Sequence, residues 1–111
     1  MKLFYLPGAC SLATHIALRE VGAAFELDRL DNASKQTESG ADFLAINPKG
    51  YVPALSLDSG EVLTEGVAIL QYIADQNPGK NLAPAAGSLA RTRLQEYLNF
   101  IATELHKSFS P

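Results

Sequence analysis

The chain has 111 residues, 47% of them apolar, which is the size of one ordinary domain with enough material for a packed core. Twelve acidic against nine basic residues give a net charge of −3 without any basic run, so a nucleic-acid partner is excluded. A single cysteine rules out an internal disulfide framework, no apolar stretch approaches the length of a bilayer span, and a reducing, cytoplasmic compartment is expected.

Residues 2 to 6 are apolar and aromatic and stop at Pro7-Gly8, too early for a signal segment, and they read as a strand. A helix over Ser11 to Val21 follows, terminated by Gly22. Ala13, Ile16, Ala17 and Val21 repeat at helical spacing, and Leu12 and Leu18 widen the stripe, so this helix is expected to be largely buried. Phe25-Glu26-Leu27-Asp28 alternates apolar and polar residues and predicts a second strand. The polar stretch from Asp31 to Gly40 reads as loop, and a short helix over Asp42 to Ile46 is stopped by Asn47-Pro48.

Val52 to Leu57 and Glu61 to Thr64 form a predicted hairpin across Asp58-Ser59-Gly60. Val67, Leu70, Ile73 and Ala74 then line one side of a helix that ends at Asn77-Pro78-Gly79. The order β-α-β-α-β-β-α therefore occupies residues 1–79, an α/β domain. Residues 80–87 lack periodicity and read as a linker. Residues 88–111 open a long helix whose stripe of Leu94, Tyr97, Leu98, Ile101 and Leu105 needs partners the chain does not supply. The expectation is either a chain cut short or a face covered by another chain.

Cys10 lies just after the first strand, at the start of the first helix, where free N–H groups and the helix dipole favour an anion such as a thiolate. Ala13 stands at the second position of a Cys-x-x-Cys pair, so the site cannot close its own disulfide. Tyr5 and Ser11 compete for a donor role toward a bound thiolate, although strand packing for Tyr5 and a helix cap for Ser11 are the stronger readings. Val52 precedes Pro53 at the start of a strand, and with its main chain turned outward it could pair with a short peptide as an added strand. At Thr64-Glu65-Gly66-Val67, backbone N–H groups could receive a carboxylate while Glu65 accepts an amine; Glu65 could equally serve only the helix dipole. Asn99, Thr103 and His106 share one face of the last helix, either lining a cleft or solvated. His15 is given no role, and no metal site is read.

Met1-Lys2-Leu3-Phe4-Tyr5, Pro7-Gly8-Ala9-Cys10-Ser11, Asn47-Pro48-Lys49-Gly50, Val52-Pro53-Ala54-Leu55, Leu63-Thr64-Glu65-Gly66 and Thr103-Glu104-Leu105-His106-Lys107 together resemble the bacterial beta-class glutathione transferases. The resemblance implies a thioredoxin-like domain followed by the start of an all-helical domain, of which 88–111 would be the first helix. It implies that Cys10 contacts the glutathione thiol and can form a mixed disulfide with it, with His106 near the sulfur. It further implies that Val52, before a cis Pro53, pairs with the cysteinyl main chain and that Lys35 meets the glycine carboxylate. Glu65 and Gly66 would hold the γ-glutamyl end, with Asn99, Thr103, Glu104 and His106 completing the site, partly across a homodimer interface. Gly66 departs from the serine common at this position and offers only its backbone N–H.

The implied activity is conjugation of glutathione, as co-substrate without a resident cofactor, to hydrophobic electrophiles. Glutathione-dependent thiol-disulfide exchange or reductive dehalogenation is the alternative enzyme, and a non-catalytic ligand-binding or interaction module is the alternative of another class.

Overall fold

A computed structural model describes residues 1–109 of the chain; residues 110 and 111, the end of the expected last helix, lie outside the described residues. Strand β1 (Lys2–Tyr5) leads through α1 (Ser11–Glu20) to β2 (Glu26–Arg29). A short α2 (Phe43–Ile46) precedes the hairpin of β3 (Ala54–Ser56) and β4 (Val62–Thr64), and α3 (Gly66–Gln76) closes the order anticipated for residues 1–79. The four strands form one sheet in the order β2-β1-β3-β4. β1 and β2 are parallel, as their helical crossover requires, whereas β3 is antiparallel to both β1 and β4. This is the thioredoxin-like arrangement with a mixed sheet.

Period-two alternation splits the core into two layers. Leu3 and Leu55 face the side covered by α1 and α3, where they pack with Leu18, Val21, Ile69 and Ile73. Phe4 and Ala54 face the other side and meet Leu30 and Phe43, the first residue of α2. The two layers share the sheet, so the C-terminal end of β1 and the N-terminal end of β3 are held rigidly beside the start of α1.

The expected burial of the first helix is corrected. In α1 the buried residues are Ser11, Thr14 and Leu18, followed by Val21, while Ala13 is exposed and Leu12 and Ile16 are more than half exposed. The apolar stripe of this helix is wider than the face the sheet can cover, so part of it points outward. In β2 the alternation is present with its sense reversed: Asp28 is buried and Leu27 is exposed. Asp28 accepts hydrogen bonds from the Ser39 amide (3.1 Å) and hydroxyl (2.6 Å), and Lys2 lies 3.6 Å away. A carboxylate supplied with donors on this side can displace leucine from the buried position.

After Gln76 the chain makes a 3-10 turn (Pro78–Lys80), crosses to Ser88, and enters α4 (Leu89–Phe100). Ser88 caps this helix, its hydroxyl accepting from the Arg91 N–H at 3.1 Å. Arg91 is buried, donating to the Asp75 carboxylate on α3 and, at 2.8 Å, to the Pro84 carbonyl. Gln95 donates to Gln71 at 2.9 Å. These contacts hold α4 against α3. Leu94 and Leu98 reach an apolar groove of about 180 Å³ shared with Ala17, Leu70, Ala74 and Leu82, but Tyr97, Ile101 and Leu105 stay exposed. The shortage of partners anticipated for this stripe is thus seen along its second half. The helix continues as a π-helical segment, Ile101–His106.

Candidate functional site

Pro7 and Gly8 end β1 and turn the chain into α1, with Gly8 at a φ of 72° where a side chain would be strained. Cys10 is the N-cap residue of α1 and is exposed. Its Sγ lies 3.5 Å from the Val52 carbonyl oxygen, to which the thiol donates. The sulfur therefore stands at the positive end of the α1 dipole with an extended segment in front, while the Leu12 and Ala13 N–H groups of the first turn already donate to the Ala9 and Cys10 carbonyls.

That segment is shaped by Asn47, which is buried and donates from Nδ2 to the Tyr51 carbonyl (2.8 Å) while its Oδ1 accepts from the Lys49 N–H (3.2 Å). Gly50 has a φ of 73°, and a Cβ there would come within 3.3 Å of Leu44, so a side chain at this position would be strained. The Val52–Pro53 peptide bond is cis. Val52 precedes the first paired residue of β3, Ala54, and lies outside the strand ladder. Its main chain is not consumed by the sheet.

Pro53 approaches the start of α3: a Cβ on Gly66 would sit 3.7 Å from Pro53 Cγ, an ordinary contact. Glu65, one residue before, has a φ of 73°, an unusual conformation for a residue with a side chain. Its Oε2 accepts from Lys49 Nζ at 2.6 Å, and the same ammonium donates to Thr64 Oγ1 at 2.8 Å. Lys35, also at positive φ (59°), donates from Nζ to the Gly50 carbonyl (3.1 Å) and Asn32 Oδ1 (2.8 Å). Cys10, Val52, Pro53, Glu65, Gly66 and Lys35 are thus joined through one connected group of contacts around residues 47–53.

The remaining candidates stand differently. Ser11 is the first residue of α1 rather than its cap, and its buried hydroxyl both accepts from the Leu6 N–H and donates to the Leu6 carbonyl, each at 3.2 Å. It closes the strand-to-helix turn. Tyr5 is half-buried against the core, with its ring 6.5 Å from that of His15. Thr103 donates to the Asn99 backbone carbonyl at 2.9 Å, a bond back along its own helix. Among the described residues, no hydrogen bond or ion pair links the Asn99, Glu104 or His106 side chains to the group around Cys10. The nearest tie is Lys107, whose Nζ lies 5.6 Å from the Tyr51 ring centroid. No cluster of three or more His, Cys, Asp or Glu side chains that could hold a metal occurs among the described residues.

Lys49 belongs to the Asn47-Pro48-Lys49-Gly50 run, and nothing in its spacing assigns it a role. Its pairing with Glu65 spans 16 positions, and only the hairpin geometry brings the two together. The one signal available was an unassigned cation within a turn flanking the predicted peptide edge.

Comparison with known proteins gives a consistent answer. The family model for the N-terminal domain of glutathione S-transferases matches residues 1–75. The glutathione S-transferase GstA of Escherichia coli O157:H7 is 58% identical over 111 residues, all of this chain and 55% of that protein. A solved ternary complex of BphK, a bacterial GST, superposes with a TM-score of 0.98 at 67% identity, covering 100% of this chain and 56% of that one. A sphingomonad glutathione S-transferase complexed with glutathione superposes with a TM-score of 0.95 at 62% identity, covering 100% and 57%. The chain spans little more than half the length of these relatives.

Proposed function

The chain belongs to the bacterial beta-class glutathione S-transferases, and on that premise we propose that its protein binds glutathione along residues 47–53 and conjugates the thiol to hydrophobic electrophiles. The observation that carries the reading is the exposed Cys10 sulfur at the start of α1, facing the Val52 main chain outside the strand ladder. Glutathione is peptide-like, with a thiol in its middle residue. Its cysteinyl main chain would pair with Val52 as an added strand, bringing the thiol to Cys10 and the helix end. Lys35 would meet the glycine carboxylate, Glu65 the γ-glutamyl amine and the Gly66 N–H its carboxylate. The segment carrying Asn99, Thr103, Glu104 and His106 would complete the site, partly across a homodimer, in a cytosolic setting.

In this reading the bound thiol loses its proton to solvent or a nearby acceptor, stabilised as a thiolate by the N–H groups at the start of α1. The sulfur then forms a bond to the electrophilic carbon and the leaving group departs with its electron pair. Tyr5, whose hydroxyl has no hydrogen-bond partner among the described residues, is the auxiliary donor; Ser11 serves the turn. The apolar wall for the electrophile needs more surface than the described residues carry. A glutathione-dependent assay with an activated aryl halide tests the proposal: turnover of the protein is expected, and none across several halides would reject it.

Thiol-disulfide exchange is the second reading, favoured by the accessibility of the Cys10 sulfur itself. Cys10→Ala separates the two. Conjugation survives the substitution if the helix end suffices, and exchange is abolished.

A further inference from the structure

We propose that Lys49 is the carboxylate-binding partner of Glu65, the two forming a zwitterion clamp for the amino-acid head group of the γ-glutamyl residue; this rests on the glutathione reading above. The γ-glutamyl α-carbon carries an ammonium and a carboxylate side by side. A lone Glu65 would attract the first and repel the second. The charge placed to resolve that conflict is Lys49, whose Nζ lies 2.6 Å from Glu65 Oε2.

Three features of the chain support the assignment. Gly66 has no side-chain hydroxyl, so beyond its N–H this end of the groove needs another donor for a carboxylate. The Lys49 backbone is fixed by Asn47, whose Oδ1 accepts the Lys49 N–H, so the side chain leaves the turn toward Thr64 and Glu65 rather than into solvent at large. Both charged side chains remain well exposed, at 52% for Lys49 and 68% for Glu65, and can part to admit a ligand. Without ligand each satisfies the other. On binding, their one ion pair is exchanged for two, Glu65 with the ammonium and Lys49 with the carboxylate. Lys35, bonded to the Gly50 carbonyl, is a second cation on the same segment and is left for the other carboxylate of the tripeptide.

The experiment is calorimetric titration of the chain, as wild type, Lys49→Met and Lys49→Arg, under reducing conditions. The probes are glutathione and 4-aminobutyryl-cysteinyl-glycine, which keeps the ammonium and lacks the α-carboxylate. The clamp predicts that Lys49→Met weakens glutathione by about tenfold, the scale of one partly screened charge-assisted contact, and changes the decarboxylated probe by no more than about twofold. Lys49→Arg should retain most of the glutathione affinity. Equal weakening of both probes would mean that Lys49 only props Glu65, and unchanged or tighter glutathione binding would mean that it competes with the ligand; either overturns the clamp alone. Failure of the wild-type chain to bind glutathione would instead overturn the functional reading beneath it. Lys49 is exposed, and matching thermal unfolding of the three forms verifies that the fold is intact.

Discussion

At Cys10 the sequence position and the geometry agree: a residue placed between a turn and a helix becomes an N-cap whose sulfur is open to solvent and directed at Val52. Incubation with glutathione disulfide should therefore add one reducible glutathione to the chain by intact mass, and Cys10→Ala should add none. Asp28 is the opposite kind of residue, polar and buried. Burial by itself raises its pKa, but hydrogen bonds from the Ser39 hydroxyl and amide, the Thr37 hydroxyl and the charge of Lys2 together bring the carboxyl below its ordinary value. A carboxyl with a lowered folded-state pKa contributes stability above its unfolded pKa, and that contribution is lost as pH falls through the folded value. Asp28→Asn should cost about 1–3 kcal/mol at pH 7, and the gap between variant and wild type should close as the pH drops below about 4. Urea titrations at several pH values measure this. Asp28 also marks a limit of reading from sequence. Alternation at Phe25 to Asp28 locates the strand, but which face is buried depends on Ser39 and Lys2, which only tertiary contact brings beside it.

The elements of residues 1–79 were legible because each carries its own punctuation: Pro7-Gly8, Gly22, Asn47-Pro48, Asp58-Ser59-Gly60 and Asn77-Pro78. The start of α3 is where local rules give way. Glu65 holds a positive φ that glycine would adopt freely, a strain of about 1 kcal/mol or more. Glu65→Gly should thus be about 1 kcal/mol more stable than Glu65→Ala by thermal unfolding, while both lose glutathione affinity to a similar extent. Besides the Gln95–Gln71 bond and the Leu94 and Leu98 contacts, helix α4 is tied down by one buried guanidinium that reaches Asp75 and Pro84. Arg91→Met should cost about 2 kcal/mol, less than a fully buried pair because Asp75 is 46% exposed and can rehydrate. Hydrogen exchange should rise in residues 89–109 before it rises in the sheet. That tie had no sequence signal, since Arg91 reads as one more polar residue on an amphipathic helix.

At the scale of the molecule, the described residues form one sheet with helices on both faces and a further helix whose outer half is bare. Leu12 and Ile16 on α1, Tyr97 on α4, and Ile101 and Leu105 beyond it are apolar and solvent-facing. The chain should bind a hydrophobic dye in its folded state, and Ile16→Glu combined with Leu105→Lys should reduce that binding while leaving the melting temperature within a few degrees. The expectation of missing partners came from the stripe on the last helix; the matching exposure on the first helix was not foreseen, because its pattern does not distinguish a face covered by the sheet from one left for something else. The change of winding between Ile101 and His106 has its own consequence. A π turn accommodates a surplus residue, so removing one residue from this stretch should restore regular winding without unfolding the helix. Residues 107–109 would then point to a different compass bearing, and the cationic perch of Lys107 over Tyr51 would be vacated.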